Sequence, residues 1–222
     1  MAEQLILNLP VRPALGRDDF FVSDGNAAAV AGIEAWQGWP HGKMVLVGPE
    51  ASGKTHLAHV WAGMTGATVI AAGDLPGPDP DGMGAMVAVE DADRVTGTAA
   101  ETALFHLHNA VTGQGGRLLL TARNDPARWP VALPDLKSRV QQAGVLKLAP
   151  PDDALLSAVM VKMAADRQLV LAPGLVSYAV LRMERSFAAA RALIEAIDAR
   201  ALRDKSRPTK TMIAALLARQ AE

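Results

Sequence analysis

KMVLVGPEASGKT, residues 43–55, holds the pattern that decides the fold. Lys43–Val47 reads as a short apolar strand, and Gly53–Met64 as a helix with Leu57, Val60, Trp61 and Met64 on one face. Between them GPEASGKT, from Gly48 through Pro49, Glu50, Ala51, Ser52, Gly53 and Lys54 to Thr55, matches G-x-x-x-x-G-K-[ST] without a gap. The chemistry calls for these residue types. Small residues let successive backbone N–H groups curl around phosphate oxygens, and the following helix adds the positive end of its dipole. Lys54 would reach the outer phosphates, and Thr55 would offer its hydroxyl to Mg²⁺. A glycine turn of purely structural meaning lacks this strand-then-helix context.

Outward from this segment the chain alternates regularly. Ala67–Ala71, Ala85–Val89, Arg117–Thr121 and Val145–Leu148 read as further strands, with helices over Ala99–Thr112 and Leu133–Gln142. Short apolar strands alternating with helices predict an α/β fold, a parallel five-stranded sheet covered on both faces. Before it lies an Ala-rich helical stretch ending near Trp36, and GDLPGPDPDGMG, residues 73–84, is turn chemistry. Pro150-Pro151 marks a break, after which only helices are expected: Asp152–Arg167, Pro173–Arg182, one capped by Ser186, and one with Pro208 in its first turn ending near Ala221. The expected organisation is an N-terminal extended peptide over 1–12, an α/β core over 13–150 and a small helical subdomain over 151–222.

Composition narrows the function. Half of the 222 residues are hydrophobic, ample for a core, whereas aromatics are only 4%, too few for extended base-stacking platforms. A net charge of −1 argues against a basic nucleic-acid footprint over the whole surface. The cluster Arg203, Lys205, Arg207 and Lys210 reads as a solvated turn. Without cysteine there is no disulfide, thiol catalysis or Cys-based zinc site. His56, His59, His106 and His108 lack metal-ligand spacing and read as surface or packing residues. No basic residue precedes Arg12, and no run approaches the roughly 18 apolar residues that span a bilayer, so a cytoplasmic protein without membrane contact is expected.

A phosphate loop of this kind works with acids at the end of another strand. MVAVED, residues 86–91, supplies them: Glu90 at the metal-side position and Asp91 where a carboxylate activates water. Many such enzymes carry Asp before Glu. The reversed order shifts both geometries, so weak hydrolysis is as consistent with it as efficient hydrolysis.

With these motifs in order, the chain resembles the AAA+ family and, within it, the DnaA-related proteins of the Hda type. DDFFVSDGNAAA is similar to the family's opening segment, ETALFHLHNAV to the helix after the acidic strand, RLLLTARNDP to the sensor-1 strand, and LPDLKSRV to box VII. The likeness covers most of residues 1–220. It implies an AAA+ P-loop core followed by an all-helical lid, with ATP or ADP and Mg²⁺ as cofactors. It also implies a role: joining the DNA-loaded sliding clamp and promoting hydrolysis of the ATP held by the replication initiator DnaA. Initiators of the family carry a further DNA-binding domain after the lid and a long N-terminal domain, so the core-plus-lid build implies that any DNA contact is indirect or weak. On the same resemblance Thr121 sits at the sensor-1 position, and Arg139 at that of an arginine finger reaching into a neighbouring subunit, self or other. At the sensor-2 position of MERSFAAARALIEAID stands Ala188, with Arg185 or Arg191 as neighbours that would substitute.

EQLILNLP, residues 3–10, completes the picture. Gln4-Leu5-Ile6-Leu7-Asn8-Leu9 resembles the Q-L-x-L-x-L form of clamp-binding peptides. In an extended segment Leu5, Leu7 and Leu9 project to one side, ready for an apolar groove, with Gln4 hydrogen-bonding beside it. The same pattern is compatible with an edge strand on the protein's own sheet. Three functions stay open: a clamp-tethered regulator of DnaA, an independent remodelling ATPase, and an adaptor in which nucleotide only supports the fold.

Overall fold

The computed structural model describes residues 20–77 and 82–220. Among these, five strands form one sheet: β1 (Lys43–Val47), β2 (Thr68–Ala71), β3 (Met86–Glu90), β4 (Arg117–Ala122) and β5 (Gly144–Lys147), in the order β2-β3-β4-β1-β5. Every pairing is parallel. Consecutive strands therefore run in one direction and need helical crossovers.

The covering helices are α1 (Ala27–Glu34), α2 (Lys54–Thr65), α3 (Thr98–Gly113) and α4 (Pro134–Gln141). All five residues of β1, a strand paired on both sides, are buried, and Met44, Val45, Leu46 and Val47 form its apolar run. Alternation then assigns them to two cores. Val45 and Val47 join Leu104, Leu107 and Val111 of α3 with Leu136 and Val140 of α4. Met44 and Leu46 join Ile33 of α1 with Leu57, Val60 and Trp61 of α2. Met64 departs from the expected apolar face: it lies on the last turn before Gly66 reverses the chain at φ 72°, and remains 45% exposed outside that layer.

Beyond residue 150 come α5 (Asp153–Asp166), α6 (Pro173–Val180), α7 (Phe187–Asp204) and α8 (Lys210–Gln220). They build a core of their own from Leu156, Met160, Val176, Leu193, Ile194, Ile197 and Ile213. Ser186 caps α7, its hydroxyl accepting from Ala189 N–H at 3.1 Å. Pro208 does not lie in the first turn of α8; Thr209 intervenes, and its hydroxyl accepts from Met212 N–H at 3.2 Å, leaving proline outside the helix. No helix of the described residues is long and apolar enough to cross a membrane. The segment carrying Gln4, Leu5, Leu7 and Leu9, part of residues 73–84, and the expected helix end at Ala221 lie outside the described residues.

Candidate functional site

Parallel strands deliver their C-terminal ends to one edge of a sheet, and three of those exits are tied together here. The N–H of Gly48 donates to the carbonyl of Ala122 at 3.1 Å, extending the β1–β4 pairing into the loop. The N–H of Asp91, just beyond β3, donates to the Thr121 hydroxyl at 3.0 Å. A carboxylate oxygen of Asp93 accepts from the N–H groups of Arg123 at 2.9 Å and Asn124 at 3.2 Å. Thr121 is thus a buried brace for the acidic strand end as well as the sensor-1 candidate.

The GPEASGKT loop curls over this edge. Ala51 at φ 55° and Gly53 at φ 97° place it in the left-handed region, the turn geometry that gathers N–H groups on one side. Gly48 is held so close that a Cβ there would lie 2.6 Å from Ser52 Oγ and 3.0 Å from the Leu148 carbonyl oxygen. The Lys54 ammonium donates to the carbonyls of Gly48 at 2.8 Å and Pro49 at 2.7 Å. Burial pushes Lys54 below its ordinary value; Asp91 opposes this, Arg123 adds to it, and Asp93 and Glu50 oppose it. Pro49, Glu50 and Thr55 are exposed.

Three polar atoms of the site are buried without a hydrogen bond among the described residues: Ser52 Oγ and one carboxylate oxygen each of Glu90 and Asp93. Such atoms cost free energy unless a ligand satisfies them. The Ser52 hydroxyl and the N–H-lined loop fit phosphate oxygens, whereas the carboxylate oxygens fit a cation or a water beside them. No group of three or more His, Cys, Asp or Glu among the described residues could hold a metal by itself. A Mg²⁺ here would therefore take phosphate oxygens as ligands besides Thr55 and Glu90, as Mg²⁺ commonly does. Asp91, at φ 54°, directs its carboxylate to Arg94 at 3.3 Å.

The helical part meets the loop through α7. The N–H of Phe187 donates to the Ala51 carbonyl at 3.4 Å. The rings of Phe187 and Phe20 flank Gly53, and Phe20 meets His56 edge to face at 5.1 Å. Arg185 is paired with Asp153 at 2.9 Å, while Ala188 and Arg191 are exposed on α7.

Arg139 stands elsewhere. It is exposed on α4, and its charge depresses the basicity of Lys43 and His108. Lys43 begins β1 and the phosphate loop leaves its other end, about 15 Å along a five-residue strand. The structure therefore separates Arg139 from the cluster of Lys54, Glu90, Asp91 and Thr121. Lys43 and His108 form a buried pair at 3.1 Å, each pushed down chiefly by burial. The N-terminal end of α4 is anchored by buried Glu101, which accepts from Ala132 N–H at 3.0 Å and Leu133 N–H at 2.7 Å.

No protein-family model matches the chain. Solved structures do. Domain III of the Thermotoga maritima replication initiation protein DnaA is similar with a TM-score of 0.80 at 18% identity, over 96% of this chain and 98% of that one. A replication initiator DnaA bound to AMPPCP and single-stranded DNA is similar with a TM-score of 0.69 at 16% identity, over 87% of this chain and 69% of that one. The Thermotoga maritima RuvB Holliday junction branch migration motor gives 0.69 at 17% identity, over 91% and 70%. The fold shared with these structures is a parallel five-stranded sheet covered by helices, with a helical part following it. More particularly, it is the fold of DnaA domain III over nearly the full length of both chains.

Sequence reasoning passed over Arg123, Glu101 and the Phe20–Phe187 pair. Two of these had a legible signal. Glu101 interrupts an apolar stripe completed by Leu104, Leu107 and Val111, and Arg123 is the first cation beyond a central strand.

Proposed function

We propose that this chain binds an adenine nucleotide with Mg²⁺ and acts in the cytoplasm as an AAA+ regulator of replication initiation. It would stimulate hydrolysis of DnaA-bound ATP through Arg139 while tethered to the sliding clamp by its N-terminal peptide. The observation that carries this reading is the position of Arg139, exposed on α4 and beside the start of β1, away from the chain's own phosphate loop. An arginine so placed suits a nucleotide held by a neighbouring subunit, where such a finger contributes about 10³–10⁵ in rate. Nucleotide binding is supported by the loop geometry and by the AMPPCP found in a DnaA of the same fold. The residues that would hold it are the loop N–H groups, Lys54, Ser52 and Thr55, with Glu90 on the metal side. A bound Mg²⁺ would neutralise phosphate charge among these groups. The peptide's Gln4, Leu5, Leu7 and Leu9 support the tether by their pattern. The division at 12/13 and 150/151 into peptide, core and lid belongs to the same proposal.

The reversed order of Glu90 and Asp91, with Ala188 at the lid position expected to carry an arginine, supports slow turnover by the chain itself. The test is reconstitution with ATP-loaded DnaA and a DNA-loaded clamp. Faster loss of DnaA-bound ATP is expected, abolished by Arg139→Ala and by joint Gln4→Ala and Leu7→Ala replacement. Lys54→Ala is expected to remove nucleotide binding measured by calorimetry. Undiminished stimulation by Arg139→Ala overturns the mechanism, and rapid ATP turnover by the isolated chain favours an independent ATPase instead.

A further inference from the structure

Resting on the nucleotide-binding reading, we propose that Arg123 is the residue that distinguishes a nucleoside triphosphate from a diphosphate, with Glu50 as its resting partner. Arg123 is the first residue beyond β4, the strand between β1 and β3. The carbonyl just before it accepts the N–H of Gly48, so its side chain departs beside the first residue of the phosphate loop. Its own N–H is fixed by Asp93, which gives that departure a constant origin. The guanidinium lies 2.9 Å from a Glu50 carboxylate oxygen, on the loop itself.

Charge explains why both residues are present. A glutamate in a phosphate loop repels the ligand the loop is shaped for, and Arg123 neutralises it. Their side chains are 38% and 75% exposed, so solvent screens the pair and little is lost on breaking it. The γ-phosphate, which a diphosphate lacks, extends one group further and offers a planar guanidinium a bidentate, doubly charged acceptor, which is the better partner. The other nearby arginines pair with carboxylates that lie off the loop. Arg94 pairs with Asp91 three residues before it, Arg185 pairs with Asp153, and the position expected to carry a lid arginine is Ala188. Arg123 alone among these cations is bonded to the phosphate loop, and its charge reaches Lys54.

The test is calorimetry on the full chain, titrating Mg·ATP and Mg·ADP separately. Arg123→Ala is expected to weaken ATP about tenfold and ADP less than about twofold, with Arg123→Lys intermediate. Glu50→Gln frees the guanidinium and is expected to tighten ATP. Thermal melting of each variant checks that it is folded, and Arg123→Gln replaces any that is not. Equal losses for ATP and ADP overturn the proposal, as does tighter ATP binding by Arg123→Ala, which would make the pair a mere clasp on the loop. A wild-type chain that binds neither nucleotide defeats the functional reading itself. Wild-type binding of both with an unchanged ratio in Arg123→Ala defeats only the role of Arg123.

Discussion

Glu101→Ala tests how the helix carrying Arg139 is held. Glu101 is 3% exposed, and one carboxylate oxygen accepts the N–H groups of Ala132 and Leu133 at 3.0 and 2.7 Å. These donors precede Pro134 at the start of α4, where negative charge also meets the positive end of the helix dipole. Truncation leaves both donors without their acceptor. Hydrogen bonds to charged groups contribute about 1.5–3 kcal/mol each, but Ala132 is exposed and water can replace its partner. The expected loss is therefore about 2–4 kcal/mol, a sizeable part of the roughly 5–15 kcal/mol that holds a domain folded. Glu101→Gln retains a carbonyl oxygen at the same reach without the charge, and about 1 kcal/mol is expected. Urea unfolding followed by tryptophan fluorescence measures both. A Glu101→Ala variant within about 0.5 kcal/mol of wild type, below the range for losing even one such bond, refutes the reasoning. So does a Gln variant as damaged as the Ala variant, because acceptance of the two N–H groups would then not be the source of the stability.

Gly48→Ala places a methyl 2.6 Å from Ser52 Oγ and 3.0 Å from the Leu148 carbonyl oxygen; the hydroxyl can rotate away but the backbone cannot. Nucleotide affinity by calorimetry is expected to fall more than about tenfold, with a melting loss of the order of 1–3 kcal/mol from overpacking. His108 supplies a pH dependence. Burial holds it below its ordinary value of 6.5, with Lys43 and Arg139 adding to this and the Asn109 hydrogen bond opposing it. Below about pH 6.5 the unfolded chain then binds the proton more readily than the folded one, so this contribution is present above that value and lost as pH falls. Urea midpoints from pH 8 to pH 5 are expected to drop less steeply in His108→Gln than in wild type; equal slopes rule out His108 as the source.

The sheet and phosphate loop were legible because their information is local. KMVLV, GPEASGKT and the following helix occupy consecutive residues, and period-two and period-3.6 patterns specify them without distant partners. Met64 and Pro208 show where local patterns stop. Helical spacing placed Met64 on the buried face, but only packing decides how far the covered layer extends. Pro208 suits a first turn, yet the hydroxyl of Thr209 provides the cap. The supports of the site were less legible because they join residues far apart in the chain. Glu101 accepts donors 31 and 32 residues away, and Lys43 meets His108 across 65. Parallel topology brings such residues together, and a strand order read as β2-β3-β4-β1-β5 would have pointed to Arg123 beside Gly48.

The manner in which the charged groups are restrained bears on what a bound nucleotide would do here. Asp91 is tied to Arg94 within one turn, the Thr121 hydroxyl accepts the Asp91 N–H, and Arg185 is tied to Asp153. Each bond lies off the phosphate loop, so filling the loop removes none of these partners. The Arg123–Glu50 pair differs, because one of its members belongs to the loop. Occupancy of the loop changes what Glu50 and Arg123 face, and the exposed pair opposes that change only weakly. Combined with the slow turnover proposed from the Glu90–Asp91 order, a single nucleotide-responsive contact would leave the chain's shape unchanged through many encounters with a partner. Its exposed Arg139, some strand-length away, would then act repeatedly on a neighbour's nucleotide, as the proposed regulator requires.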